Sequence, residues 1–511
     1  MKEGKVYIVG AGPGEPGLIT VKGLECLKRA EVVIYDRLVD DSLLDAAPAN
    51  AERIYVGKGR VYHAAEQKDI NLLLVAKARE GKMVVRLKGG DPFVLGRGGE
   101  EAVTLAANNI SFEVVPGVSS ATAVPAYAGI PVTDRRLASS FTVVTGHEDA
   151  EKGESTIHWD KVSIGSDTLV ILMGMENLKR IVDQLLWNGR PKSTPVAVVT
   201  RGTSPQQRTV VGTLGNIVTR AVKAGFGPPS VVVVGEVVKL RDKLRWFEKQ
   251  PLFGKRVLVT RAERQASGLS RLLRERGALP VEMPVLQIRP PTSWKELDQA
   301  IRNLNRYGWV IFTSMNAVEI VFERLRKLKL DARQFGGVKI GAIGPATAEA
   351  LAIRGLHADY VPDSYTSRGF LSELKGKDVK DYKVLLPRAD IAGTELTDGL
   401  TGLGAEVHQV TVYHTLPAGK AALQGKQMLC QGDIEVITFT SASTVKNLLD
   451  ILGQEQDVIR KSVLACIGPV TAEALECKGF KTDIVAPEHT MVGLVEALEH
   501  YFQGKEAPTD E

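Results

Sequence analysis

The stretch VVRLKGGDPFVLGRGGEEA, residues 84–102, begins as an apolar β-branched run and breaks at Gly89-Gly90-Asp91-Pro92, with a second glycine pair, Gly98-Gly99, directly after Arg97. Glycine at this density weakens any regular element, so its concentration after a strand-like run marks a backbone that turns sharply or approaches a ligand. Outward from this stretch, short apolar runs alternate with helical segments as far as Trp246: VYIVG (6–10), EVVIYD (31–36), RIYVG (53–57), MVVRLKGGD (83–91), FEVVPG (112–117), FTVVTG (141–146), TLVILMG (168–174), PVAVVTRG (195–202) and SVVVVGEVV (230–238). Apolar strands without alternation predict sheets covered on both faces, hence an α/β fold with function at strand ends.

The chain has 511 residues, which at about 150 per domain predicts three to four domains and excludes a single small binding module. Hydrophobic residues make up 44% and charged residues 24%, a globular composition far from the disordered class. Lys and Arg number 65 against 60 Asp and Glu, with no block of like charge, so no nucleic-acid-binding arm is expected and a polyanion would bind in a local patch. The four cysteines, Cys26, Cys430, Cys466 and Cys477, show no C-x-x-C spacing, which argues against a disulfide scaffold or a cysteine metal site. The start MKEGKVYIVGAG reads as an apolar strand with no signal peptide, and no run of about 18 apolar residues occurs, so a soluble cytoplasmic protein is expected, without membrane contact.

The charged stretch LRDKLRWFEKQPLFGKR (240–256) precedes a new strand, RVLVTR, and places a domain boundary near 247–254. The second half repeats itself. VLVTRA (257–262) returns as VLLPRA (384–389), Gly277-Ala278 as Gly404-Ala405, and Phe312-Thr313-Ser314 as Phe439-Thr440-Ser441, each displaced by 127; IGPATAEAL (343–351) returns as IGPVTAEAL (467–475), displaced by 124. A long unit present twice predicts two similar α/β lobes with a ligand cleft between them. Residues 505–511 read as a tail.

VGAGPGEPG (9–17) follows a strand and imitates a dinucleotide fingerprint, with Asp36 closing the second strand where a ribose-binding acid would sit. The spacing fails: G-x-G-x-x-G needs glycine where Glu15 stands, and Pro13 removes an amide from the turn. A different nucleoside-type ligand held close to a glycine-rich backbone, or a turn with only a packing role, remains.

Together with VVIYDRLV, YVGKGR, VVPGVSSATAVPAYAGIPVTDR, VTGH, ILMGM and RGTSPQQRTVVGTL, these segments resemble the uroporphyrinogen-III C-methyltransferases of the tetrapyrrole methylase family over about residues 4–248. The resemblance implies a two-lobed enzyme, lobes about 1–118 and 119–248. Its activity would move methyl groups from S-adenosylmethionine to C2 and C7 of uroporphyrinogen III, giving precorrin-2. It implies cofactor contacts at Pro13, Gly89, Gly90, Asp91, Val94, Ser119, Ser120, Met173 and Gly202, with Asp36 as proton acceptor and Lys58 as proton donor. The family usually carries Thr-Ala where Ser119-Ser120 stand, Ile where Val94 stands, and a GKR-x-G-x-H pattern where this chain reads Gly57 to His63. It also admits a homodimer through this half. Displacement at a sulfonium needs no metal, and alignment of the two reactants is worth about 7–11 kcal/mol. A substrate with eight carboxylates calls for bidentate cations, for which Arg97, Arg135, Arg136 and Arg208 are candidates in loop-like segments.

The second half, about 254–502, resembles uroporphyrinogen-III synthase through VLVTRA, FTSMNAV, AIGPATAEAL, VLLPRAD, VTVYHT, FTSAST and CIGPVTAEAL. The implied domain, 254–504, is a bilobal synthase fold with lobes discontinuous in sequence. It would close hydroxymethylbilane into uroporphyrinogen III with inversion of ring D and no cofactor. Tyr413 matches the family tyrosine considered for acid assistance, and Thr347, Ser441 and Thr471 match residues lining the cleft. Small hydroxyl residues at helix starts can hold anions or simply cap helices. His63, His147, His408 and His414 show no metal-ligand spacing. The combined expectation is a bifunctional enzyme; the alternatives are another corrin-pathway methylase fused to the synthase, or a tetrapyrrole-binding sensor with decayed sites.

Overall fold

The computed structural model describes residues 4–57, 67–147, 157–260, 263–374, 379–390, 392–417 and 420–504. In the run Met83–Lys88, Val84 packs with Val6, Ile8 and Ile34 on one face of a sheet, while Val85 and Leu87 pack with Val9, Cys26 and Leu27 on the other. Covering both faces is what lets the run carry apolar residues without alternation. The first sheet comprises β1 (Lys5–Gly10), β2 (Val32–Tyr35), β3 (Glu52–Tyr55), β4 (Met83–Lys88) and β5 (Ser111–Val115), ordered β3-β2-β4-β1-β5. Every neighbouring pair is parallel, so the strands all end at one edge, where the two glycine turns lie.

The second sheet comprises β6 (Phe141–Thr145), β7 (Thr168–Leu172), β8 (Pro195–Thr200), β9 (Arg208–Thr213) and β10 (Ser230–Val234), ordered β6-β7-β10-β8-β9. It is mixed: β6 and β7 are parallel, and β10 runs antiparallel to β7 and β8. The run SVVVVGEVV does not continue as one strand. Gly235 at φ +147 ends β10, and Glu236–Leu240 turns into a short 3-10 helix.

The rest of the chain builds two more sheets. β11 (Arg256–Val259) and β12 (Leu279–Glu282) come first, then β13 (Leu286–Arg289), β14 (Trp309–Phe312), β15 (Lys339–Ala342), β16 (Lys383–Ala389) and β17 (Glu406–Pro417) form a sheet ordered β13-β17-β16-β14-β15. The chain then returns through β18 (Val436–Phe439), β19 (Val463–Cys466) and β20 (Ile484–Val485) to complete the order β12-β11-β18-β19-β20. β11 pairs with β18 across Val257 and Val436, and β14 pairs with β16, so each sheet combines strands from both copies of the repeat.

Two compact units result: Met1–Arg256 with Leu272–Leu279 and Leu498–Glu511, and Val257–Arg271 with Pro280–Ala497. Near the boundary, Phe247 is buried and its ring lies 4.8 Å from Tyr127 and 5.5 Å from Trp246, so this segment packs as part of the first unit. Among the described residues no helix is long and apolar enough to cross a membrane.

Candidate active site

At the shared strand edge of the first unit, backbone meets backbone. A Cβ on Gly10 would lie 2.5 Å from Gly117 Cα and 2.6 Å from the Gly90 carbonyl oxygen, so the ends of β1 and β4 and the turn after β5 can converge only as glycine. Gly12 and Gly90 bridge through a 2.6 Å bond from the Gly90 N–H to the Gly12 carbonyl. Gly90 has φ +69, and a Cβ there would meet only the Ser120 nitrogen at 3.9 Å. Its open side therefore faces the cavity. Asp91 binds the turn itself, its carboxylate accepting from the Phe93 N–H at 2.8 Å and the Gly117 N–H at 3.0 Å.

The cavity over these turns measures about 1110 Å³, at the upper end of the roughly 300–1,000 Å³ typical of small-molecule sites. Pro13, Gly89, Gly90, Asp91, Val94, Ser119, Ser120, Met173 and Gly202 all line it, as do Asp36 and Arg97. Residues from loops on both sheets of the first unit thus come together. Ser119 caps the helix Ser120–Tyr127 with its side chain, and Met173 is held at φ +55, a conformation unfavourable for a side chain, at the cavity wall. A glycine backbone open to the cavity, a helix N-terminus and adjoining apolar side chains fit an adenosyl ligand.

A charged network supports the wall. Arg86 and Lys88, two residues apart on β4, point to the same side and both reach Glu101 on the helix Gly98–Ala107: Arg86 Nε lies 3.1 Å and Lys88 Nζ 2.7 Å from Glu101 Oε1. Arg86 Nη2 donates to Asp36 Oδ1 at 2.8 Å, and its Nη1 donates to the Ile34 and Leu87 carbonyls. Glu101 is fully buried and its Oε2 has no partner among the described residues. Burial pushes the Lys88 ammonium pKa down, the Arg86 charge adds to this, and Glu101 opposes it. Lys88 lines the cavity, as do Arg37, Lys68 and Arg201.

Arg135, Arg136 and Arg208 do not line this cavity. Arg208 donates to the Ala224 carbonyl at 2.7 Å and stacks on Phe226, while the Arg136 side chain is 81% exposed beside Asp134. Lys58 and His63 lie outside the described residues. Arg86, Lys88 and Glu101 escaped the sequence reading because a charged residue inside an apolar run looks like an ordinary strand-end cation. The available signal was the pair of cations at strand spacing facing one carboxylate in a glycine-started helix.

In the second unit, Tyr413 on β17 is buried and its hydroxyl lies 3.2 Å from Ser314 Oγ. Ser314 caps the helix Met315–Lys327, and its repeat partner Ser441 caps Ala442–Leu452 in a capping box with Thr444. Thr347 and Thr471 are buried one turn into the equivalent helices Pro345–Ala352 and Pro469–Glu476. Tyr413 and Thr347 thus belong to the β14–β17 lobe, and Ser441 and Thr471 to the β18–β20 lobe. Arg388, on β16, went unnoticed in the sequence: it is 5% exposed, its Nε has no partner among the described residues, and burial pushes its pKa down against the opposing influence of Tyr413. His408 and His414 are engaged elsewhere, by Tyr307 at 2.5 Å and Asp390 at 2.9 Å; His147 lines the first unit's cavity.

Fold and site together define a two-part α/β enzyme. A family model for tetrapyrrole (corrin/porphyrin) methylases matches residues 5–218, and one for uroporphyrinogen-III synthase HemD matches residues 267–496. The chain is 39% identical over 499 residues to a porphyrin biosynthesis protein HemD of Ruminiclostridium josui, covering 98% of each chain. It is 56% identical over 240 residues to a uroporphyrinogen-III C-methyltransferase of Methanocaldococcus jannaschii, 47% of this chain and 98% of that one. It is also 53% identical over 241 residues to an S-adenosyl-L-methionine-dependent uroporphyrinogen III methyltransferase of Methanosarcina barkeri, 47% of this chain and 94% of that one. The chain belongs to the tetrapyrrole methylases through its first half and to the uroporphyrinogen-III synthases through its second, and is a bifunctional enzyme of porphyrin biosynthesis.

Proposed function

We propose that the first unit transfers two methyl groups from S-adenosylmethionine to C2 and C7 of uroporphyrinogen III, giving precorrin-2, and that the second makes its substrate by cyclising hydroxymethylbilane with inversion of ring D. The observation that carries this reading is the cavity of about 1110 Å³ in which glycine turns open to a ligand stand beside the Asp36–Arg86 pair. S-adenosylmethionine supplies an electrophilic methyl on a sulfonium. Pro13, Gly89, Gly90, Asp91, Val94, Ser119, Ser120, Met173 and Gly202 hold it. Asp36, oriented by Arg86, accepts the proton released as the methylated macrocycle rearranges, and Lys58 donates in return. Arg97, with Arg37, Lys68 and Arg201, meets the substrate carboxylates, a part for which Arg135, Arg136 and Arg208 are less well placed.

In the second unit, the Tyr413 hydroxyl assists departure of the bilane hydroxyl, while Ser314, Thr347, Ser441 and Thr471 with their helix amides hold acetate and propionate groups. The proposal extends to a cytoplasmic enzyme and to a homodimer through the first unit, which sedimentation at micromolar concentration would reveal. The deciding experiment is anaerobic incubation of the purified chain with hydroxymethylbilane and S-adenosylmethionine, measuring S-adenosylhomocysteine released per tetrapyrrole. About two equivalents with a dimethylated type-III product are expected, the stoichiometry that two in-line transfers demand. One equivalent would indicate a different methylase, and type-III product without methylation would reduce the first unit to a binding domain.

A further inference from the structure

The wall formed by residues 201–203 is held in a conformation its own residues do not favour. Arg201 has φ +49 and Thr203 φ +64, on either side of Gly202. Thr203 is β-branched and fully buried, so the left-handed conformation is costly there and persists only if the surroundings impose it. Arg201 and Gly202 line the cavity. Gly202 is pressed onto the helix Ser120–Tyr127, where an added Cβ would lie 2.4 Å from Val124 Cγ1, and Thr203 Oγ1 accepts the Glu15 N–H at 3.2 Å. This turn therefore joins three parts of the wall: the loop after β8, the helix that Ser119 caps, and the Pro13–Glu15 turn after β1.

The imposing residue is Gln207, which is 2% exposed and does not touch the cavity. Its Oε1 accepts the Thr203 N–H at 2.9 Å, and its Nε2 donates to the Tyr127 carbonyl at 3.2 Å and to Glu248 Oε1 at 2.9 Å. One partner must donate and two must accept, so the orientation of the carboxamide is determined. Glu248 is fixed in turn by Thr209 Oγ1 at 2.7 Å and by Arg241. We infer that Gln207 is a positioning residue of the methyl-donor site, latching the left-handed Thr203 turn so that Gly202 stays against the bound donor. This rests on reading the cavity as the methyl-donor site.

The latch makes Thr203 and Gln207 energetically dependent on each other, because glycine at position 203 occupies φ +64 without strain and needs no latch. The test uses the full chain and S-adenosylhomocysteine as probe, with dissociation constants from calorimetry. Gln207→Met keeps the side-chain volume and removes all three hydrogen bonds; its dissociation constant should rise about tenfold or more, the scale expected when a left-handed turn strained by a β-branched residue is released. In steady-state methylation the loss should fall mainly on KM for the donor. Adding Thr203→Gly to Gln207→Met should recover a large part of the affinity. Gln207→Glu, which still accepts from Thr203 but turns a carboxylate oxygen on Glu248 and the Tyr127 carbonyl, should bind more weakly than the wild-type chain. Unchanged binding in Gln207→Met, or a double variant no better than the single, overturns the latch. Should Gln207→Met fail to fold by circular dichroism, Gln207→Glu decides: wild-type affinity there overturns it. If the unaltered chain does not bind the probe, the methyl-donor reading falls and the latch with it.

Discussion

At the scale of single residues, the first unit depends on one guanidinium that serves four acceptors. Arg86 reaches Asp36, Glu101 and two carbonyls from a position 2% exposed, and no other side chain has the planar fork to do so. Arg86→Lys keeps the charge and loses that geometry, so Asp36 loses the partner that orients it. Turnover at saturating donor should fall by about tenfold or more, the range over which positioned acid–base groups act, while S-adenosylhomocysteine affinity changes little because the glycine turns are untouched. Comparing kcat with the calorimetric dissociation constant checks this, and wild-type turnover in Arg86→Lys would remove Asp36 positioning from the mechanism. The residues at the glycine turns were legible because their sequence is abnormal for a strand; Arg86, Lys88 and Gln207 were not, because a polar residue shows its use only once its partners, as far as 80 positions away, are brought beside it.

At the scale of elements, the continuous apolar runs were readable as strands because burial on both faces removes the need for alternation, whereas β9 was missed. Its Arg208–Thr213 run lies at a sheet edge, half exposed and with Gly212 within it, so neither apolar continuity nor period-two patterning marks it. β10 was overextended for the opposite reason: valines after Gly235 look like more strand, and only the backbone at Gly235 turns them away. Strand β5, an edge of the first sheet, is tied by charge. Glu113 on β5 meets Lys5 on β1 at 2.7 Å and Lys22 on the helix Val21–Lys28 at 2.5 Å, and these two cations pull its pKa from 4.5 to about 2. A carboxylate depressed in the folded state contributes stability above its unfolded pKa, and that contribution disappears as pH falls through the folded value. The melting-temperature difference between the unaltered chain and Glu113→Gln should therefore be constant from neutral pH down to about 5 and shrink between 4.5 and 2. A difference that persists at pH 2 would show that Glu113 acts through packing.

At the scale of the whole molecule, the chain carries its second reaction first. The first unit's core clusters draw on residues such as Val9, Leu87, Ile171 and Val233, and the second unit's on Val310, Phe312, Ile437 and Phe439, so each sheet is stabilised within its own unit. A defect at one site should then change the other reaction only through the supply of substrate. Tyr413→Phe removes the hydroxyl that meets Ser314 and nothing else, and leaves the capping serines and helix amides in place. Cyclisation should slow by about tenfold, as expected when one of several polar groups stabilising a departing oxygen is lost, with the type-III isomer still formed. When hydroxymethylbilane is the starting material, methylation should slow by the same factor; when uroporphyrinogen III is supplied directly, methylation should run at the wild-type rate. Asp36→Asn should do the converse, letting uroporphyrinogen III accumulate from hydroxymethylbilane. Methylation that slows in Tyr413→Phe even with uroporphyrinogen III supplied would mean that the synthase half acts on the methyltransferase half by more than delivering its substrate, since a tether raises effective concentration without altering a site that is already saturated.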